Sequence, residues 1–296
     1  MKKALVIINK KAGQRKNGSI EEQLIHRLNG ENYEVMIKHT PESGAVNITR
    51  QYAREQDILI IAGGDGTIGE VIEGLNLENL QIPIAVIPTG TVNDVARVHG
   101  IPLKTSNAIA QLNTEKTISA DMIKFNETYA SYLVAFGSFM TAFAKVDSGI
   151  KSKMGRFAYL LAGLAGVNML LNLKKYKVKI KTDGGEFETS SVLTLVSTMP
   201  SVGSLTQLIK DARPDDGLLH IINIEPVNLV EALNIIFLAV SGKISHHPKV
   251  TYLTSKKVEV TAIGLKDMNI DGDLHDYTDA ELSVMESGIT LLDQSN

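Results

Sequence analysis

The chain of 296 residues has no cysteine. That excludes a disulfide framework and any thiolate metal site, and it fits a reducing compartment. Neither charge dominates, with 30 basic residues against 33 acidic ones. A balance this even carries no global sign of a nucleic-acid partner. No secretory pattern opens the chain, because Lys2 and Lys3 lead into only a few apolar residues before more charge. Repeats, low-complexity segments and a Pro- or Ser-rich linker are missing as well. The length suits one large or two medium domains.

Long apolar runs are scarce too. Phe157 to Leu173 is uncharged over 17 residues, the short limit for a bilayer span, and is broken by Gly163, Gly166 and Asn168. It reads as a buried or interfacial helix. Residues 145–181 around it carry nine basic side chains against the single acid Asp147, a local charge of +8. Such a stretch is either a solvated charged face or an attractor for anionic lipid headgroups.

What is present begins with alternating strands and helices. Lys3 to Asn9 reads as a strand, Ser19 to Leu28 as a helix with a Ser19–Glu22 capping box. Strand Tyr33 to His39, helix Ser43 to Arg54, strand 57–61, helix 67–75, strand 84–87 and helix 93–97 follow. This order implies right-handed crossovers and a mainly parallel sheet. After about residue 115 the pattern becomes β-rich. Strands are expected at 117–125, 129–139, 176–182, 186–198, 217–224, 257–262 and 268–270, with an apolar helix from Val227 to Val240. The fold class is therefore an α/β domain over about 1–120 and a mainly antiparallel, sandwich-like β domain over 121–285. A cleft is expected between them, and residues 286–296 are expected to pack back onto the first domain.

The most informative run is Gly63-Gly64-Asp65-Gly66-Thr67, between an apolar strand and a helix. Glycines there allow a sharp turn and close approach to a ligand, and amides opening the helix face an anion. An aspartate in such a cradle calls for a cation as well. Gly90-Thr91-Val92-Asn93-Asp94 repeats the strand–turn–helix pattern, at the sheet edge where open α/β sheets bind ligands. Asp94 equally suits a helix cap. Glu70 could complete a capping box with Thr67, and Asp121 could be a plain strand carboxylate. Arg97, one turn after Asp94, could pair with it or touch phosphate.

Taken in order, Asn9…Gly13, Thr40 with Gly44-Ala45, the 63–67 loop with Glu70, Gly90-Thr91 with Asn93-Asp94 and Ala96-Arg97, Asp215-Asp216-Gly217 and Asn269-Ile270-Asp271-Gly272-Asp273 resemble the diacylglycerol kinase catalytic family. More narrowly they are similar to the soluble bacterial lipid kinases, relatives of sphingosine and ceramide kinases. The resemblance implies ATP with Mg²⁺ and a lipid alcohol, diacylglycerol first. It places Asn9, Thr40, Gly63, Gly64, Asp65, Gly66, Thr67, Glu70, Thr91, Asn93, Asp94 and Arg97 at the nucleotide. Asp65, Asp94 and Asp121 surround the catalytic Mg²⁺. A second, structural Mg²⁺ falls to Asp216 with the carbonyls of Arg213 and Leu218. The general base falls to the 271–273 segment, with Asp271 and Asp273 both open. Lys10, Ala12 and Gly69 depart from the family's usual residues, and Asp273 stands where glutamate is frequent. The expected partners are ATP, a membrane lipid and, reversibly, the anionic inner face of the membrane from the cytoplasm. A homodimer stays open and no nucleic acid is expected. An NAD kinase-like enzyme and a nucleotide-binding regulator without turnover are the alternatives.

Overall fold

The structure is a computed structural model, and it describes residues 1–9, 17–137, 174–202, 205, 208–210 and 212–295. The chain forms two compact units, Met1–Met122 with Met285–Asn296, and Ile123–Val284. The apolar run from Phe157 to Leu173 and the first loop after Asn9 lie outside the described residues.

In unit 1, β1 (Lys2–Ile8), α1 (Asn17–Asn29), β2 (Tyr33–His39), α2 (Val46–Tyr52), β3 (Ile58–Gly63), α3 (Asp65–Leu77), β4 (Ile84–Pro88), α4 (Asp94–Val98) and α5 (Thr105–Ala110) follow one another. The strands pair in the parallel order β2-β1-β3-β4. Ala4–Ile8, Ile58–Ala62 and Ile84–Ile87 are all buried. Such continuous apolar strands belong to a sheet covered on both faces, which is why they do not alternate.

In unit 2 the outer strands of one sheet alternate, while the central strands of the other are buried throughout. From the second half of β5 (Thr117–Phe125) onward come β6 (Thr128–Ala130), β7 (Leu133–Phe136), β8 (Tyr176–Thr182), β9 (Gly185–Ser191), β10 (Leu193–Ser197) and β11 (Leu219–Ile224). After them come helix α6 (Leu229–Val240), β12 (Val250–Ser255), β13 (Lys257–Ile263), β14 (Asp267–Ile270), β15 (Asp273–Asp276) and β16 (Ala280–Leu292), whose second half belongs to unit 1. One sheet holds β13, β8 and β9 with the start of β16; the other runs β12-β11-β10-β7-β14-β15. Their inner faces share a core of Ile123, Phe125, Val178, Ile180, Val258 and Val260 with Phe136, Val196, Ile221 and Met268. Two facing antiparallel sheets around one core make a β-sandwich.

Several boundaries differ from the sequence expectation. The expected strands 129–139 and 186–198 each break in two, at Ser131–Tyr132 and at Val192. Each break is a corner where the chain leaves one sheet for the other, a move that period-two patterning does not record. Helix α1 starts at Asn17, so Ser19 lies inside it and not at its N-terminal cap position. Helix α3 starts at Asp65, which puts Thr67 inside the first turn and rules out a Thr67–Glu70 capping box. Helix α6 instead has a capping box formed by Asn228 and Glu231. Helix α5 was not anticipated.

The chain end is fastened by a buried glutamine. Gln294 accepts from Val86 N at 2.9 Å and donates to the carbonyls of Val86 and Ala108 at 3.1 and 3.0 Å. No apolar residue can serve these backbone groups. We expect Gln294→Ala to lower stability by about 1–3 kcal/mol, the cost of orphaned buried polar groups. Urea unfolding checks this, and a change within experimental error would refute it.

Candidate active site

Strands β3 and β4 pair up to Gly63 and Pro88, so the loops that follow them leave side by side. Thr89 N donates to the Gly63 carbonyl at 3.0 Å and continues the ladder into the loops. There the backbones touch: a Cβ on Gly90 would lie 2.6 Å from the Gly64 Cα, and one on Gly64 would lie 3.0 Å from the Gly90 Cα. A side chain at Gly90 has no room, and one at Gly64 only a tight fit. Asn93 adopts φ +54° and bridges back to Gly90, accepting from its N–H at 3.0 Å and donating to its carbonyl at 2.8 Å. Arg97 holds the same loop by donating from Nε to the Val92 carbonyl at 3.0 Å. Thr91 stands exposed between them.

The flanking loops are tied to helix α3. Asn9 follows β1 and donates from Nδ2 to Thr67 Oγ1 at 2.8 Å. Buried Thr40 follows β2 and donates its N–H to the Ile8 carbonyl. Glu70 accepts from Ala45 N at 2.7 Å, and Gly44 turns there with φ +84° so closely that a Cβ would collide with the Glu70 carboxylate. Glu70 thus anchors the loop after β2 to α3. Asn9, Thr40, Thr67, Gly63, Gly64 and Gly66 all sit at the ends of β1, β2 and β3, around the N-terminus of a helix of 13 residues. Such a terminus presents unpaired N–H groups and a partial positive charge to an anion.

Asp65 is buried in the first turn of α3, 7% exposed. Its carboxylate accepts from Asp94 N at 3.0 Å and from Val95 N at 3.1 Å. It caps α4 from the first turn of the preceding helix, α3. Burial pushes its pKa up, the amides oppose that, and the neighbouring Asp94 adds to the rise. Asp94 is itself fully buried. Two acids buried side by side favour a cation nearby. Asp121, also buried, accepts from Ser287 N at 2.8 Å. Among the described residues no three His, Cys, Asp or Glu side chains gather closely enough to hold a metal directly. The acids fit a Mg²⁺ that keeps its waters and needs few carboxylates.

In unit 2, Asp271 and Asp273 have opposite surroundings. Asp271 is buried in an αL turn with φ +51°. One carboxylate oxygen accepts from Ser131 N at 2.5 Å; the other accepts from Tyr132 N and Leu133 N, both at 3.0 Å. These N–H groups belong to the corner between β6 and β7. Burial pushes the Asp271 pKa up to about 6, against those hydrogen bonds. Asp273, two residues on, is exposed. Asn269 closes the turn by accepting from Gly272 N at 2.9 Å.

At the third site Asp216 accepts from Arg213 N at 2.9 Å and Leu218 N at 3.1 Å, so those residues reach it through N–H groups. His220 Nε2 lies 3.1 Å from the same carboxylate, and its Nδ1 lies 2.8 Å from Tyr252 Oη. The partners of Asp271 and the His220 contact were missed from the sequence. The Ser131–Leu133 partners are backbone amides with no side-chain signature. His220, four residues after Asp216 and on a strand, carried no motif.

The profile of the diacylglycerol kinase catalytic domain matches residues 3–125, and that of the YegS C-terminal NAD kinase beta sandwich-like domain matches 133–292. A diacylglycerol kinase of Staphylococcus epidermidis is 31% identical over 274 residues, covering 92% of this chain and 86% of that protein. The chain belongs to the diacylglycerol kinase family. A second member, from Staphylococcus carnosus, is 30% identical over 92% of this chain and 89% of its own length. A solved diacylglycerol kinase from Bacillus anthracis strain Sterne, 22% identical, shares the fold with a TM-score of 0.77 over 99% of this chain and 97% of its own. As a member of the diacylglycerol kinase family, the chain is an enzyme of the lipid-kinase class.

Two outcomes follow from the buried acids. Asp65→Ala removes the cap of α4 as well as a charge, so it should cost stability of about 1–2 kcal/mol in denaturant unfolding. Unchanged stability would show that α4 does not need the contact. For Asp271, the native carboxyl holds its proton up to a higher pH than the unfolded one at 3.8. The native state then binds more protons, so this group's contribution falls as pH rises from about 4 to about 6. Carbon-detected NMR titration should give a midpoint near 6 for Asp271. A midpoint below 3.8 would show that the amides prevail over burial.

Proposed function

We propose that the chain transfers the γ-phosphate of ATP to a hydroxyl of a membrane lipid, with diacylglycerol the first candidate. The observation that carries this reading is the backbone contact between Gly64 and Gly90, with Asp65 held between the two loops. It leaves the N-terminal amides of α3 as a cradle for phosphate, with acids beside it for a cation. Phosphoryl transfer needs positioning and charge neutralisation more than covalent chemistry. Asn9, Thr40, Thr67, Thr91 and Asn93 would border the nucleotide, and Arg97 keeps spare guanidinium N–H groups for phosphate. Mg²⁺, when bound, neutralises phosphate charge; Asp65, Asp94 and Asp121 would hold it through its waters.

On the acceptor side we assign the base to Asp273. Asp271 already accepts three N–H groups and is closed off from solvent. It is the positioning residue that fixes the turn. Asp273 is exposed at the start of β15 and can accept a proton from an incoming hydroxyl. The lipid oxygen forms a bond to the γ-phosphorus, the bond to the β-phosphate oxygen breaks, ADP leaves, and the proton goes to Asp273. The same reading gives Asp216, with the carbonyls of Arg213 and Leu218, a structural Mg²⁺ that would compete with His220 for the carboxylate. It also makes the protein a cytoplasmic one that visits the inner face of the membrane. Lys174 and Lys175 stand exposed there, whereas Lys179 and Lys181 are paired with Glu186 and Glu259.

The test is labelled ATP, Mg²⁺ and a panel of lipids in micelles, with NAD included. Labelled phosphatidic acid is the expected product. ATP binding with no labelled lipid would overturn the reading, and labelled NAD would replace it. Asp273→Asn should lower turnover by roughly 10²-fold or more, the scale of a lost general base. Asp273→Glu should retain much of the rate. Full activity in Asp273→Asn would remove Asp273 from this role.

A further inference from the structure

Helix α6 is apolar on two sides. Ala232, Ile235 and Ala239 are buried, while Leu229, Val230, Leu233, Phe237 and Val240 are exposed. Helical geometry gathers those five into a single arc of about 100°. Val230, Phe237 and Val240 keep 74%, 71% and 70% of their surface exposed. A surface helix ordinarily turns polar residues outward. Contiguous exposed apolar side chains mark an interaction site.

The surrounding charge says what kind of surface would cover it. Glu231 is the only charged residue in the helix, lies off the arc, and is matched by Lys249 Nζ at 2.9 Å. Past the helix, Lys243 and His246 are exposed, and the chain carries no acid until Glu259. Glu225 is the nearest acid before the helix, and the basic side chains lie past its other end; an apolar stripe with a basic end complements an anionic bilayer. A second copy of the chain is a poorer fit. The stripe is about 18 Å long and about 10 Å wide, so its area is roughly a quarter of the 800 Å² per partner that a stable dimer needs.

We propose that α6 is a membrane seat. Val230, Leu233, Phe237 and Val240 insert shallowly among the acyl chains of an anionic membrane, with Lys243 at headgroup level. The proposal rests on the lipid-kinase reading for its purpose. It concerns a different segment from the basic stretch 145–181.

The chain has no tryptophan, so Phe237→Trp makes a single fluorescent reporter. Mixed phosphatidylcholine and phosphatidylglycerol vesicles should shift its emission to the blue, and brominated acyl chains should quench it. Ile263→Trp, equally exposed on β13, should not respond. No response from Phe237→Trp, or an equal one from Ile263→Trp, overturns the proposal. So does emission already blue and shielded from acrylamide without vesicles in a monomer, since the chain's own residues would then cover the face. A lipid-free dimer that Phe237→Asp dissociates would make the face a self-interface, and also overturns it. In vesicle sedimentation, Val230→Asp with Phe237→Asp should weaken binding by at least about tenfold. The same variant should lose activity on vesicle-borne diacylglycerol and keep it on a short-chain, water-soluble one. If the wild-type chain phosphorylates neither lipid, the kinase reading fails while the fluorescence result still judges the seat.

Discussion

The carboxylate of Asp65 accepts two N–H groups from the first turn of α4, and this contact fixes one loop against the other. The parallel pairing of β3 and β4 brings the loops near; it does not by itself set the last few ångströms. Asp65 does, from the first turn of α3, and Asn93 then closes the second loop on Gly90. The result is a rigid double turn with two adjacent buried acids. Burying a carboxylate there is costly, and the raised pKa of Asp65 reflects that cost.

Unit 2 uses the same device for a different purpose. Asp271 is buried and accepts N–H groups from a neighbouring segment, here the corner where the chain changes sheets. Corners of a sandwich leave backbone groups that no ladder can satisfy. A short carboxylate from β14's end satisfies three of them and pins the αL turn that carries Asp273. The two aspartates of the Asp-Gly-Asp motif therefore divide the work: one holds the turn by giving up its oxygens, the other stays open to solvent. Spacing alone left the choice between them open, because the difference lies in backbone amides about 140 residues away in sequence.

That example describes how much was legible from the residues. Continuous apolar strands, alternating strands and glycine punctuation gave the two fold classes and the sheet edge with its paired loops, because these are local or periodic signals. The resemblance of the ordered motifs pointed to the loops after β1, β2, β3 and β4 and to segments 213–218 and 269–273. What stayed hidden depends on distant backbone: the cap from Asp65 to α4, the Glu70 tie to Ala45, the Gln294 clasp on β4 and the sheet-switching corners. Ser19, Thr67 and Glu70 matched capping patterns, yet their helices start elsewhere, since cap geometry is decided by where the chain enters the helix and not by residue type.

The architecture also explains which departures from the family pattern the proposed kinase can tolerate. The proposed phosphate cradle would use main-chain N–H groups at the start of α3, beside the backbone-to-backbone approach of Gly64 and Gly90. Side chains contribute at the border, where Asn9 and Thr67 bond to each other. The departures at positions 10 and 12 lie outside the described residues, and glycine at 69 changes a side chain while leaving the main-chain donors of α3 in place. A methyl group at Gly64 or Gly90 adds far less chemistry than any of those changes. At Gly90 it would nevertheless meet the Gly64 Cα at 2.6 Å, so the loops that Asp65 joins would have to shift. In a site assembled from backbone, the space that a residue leaves empty constrains the chain more tightly than the groups it could offer.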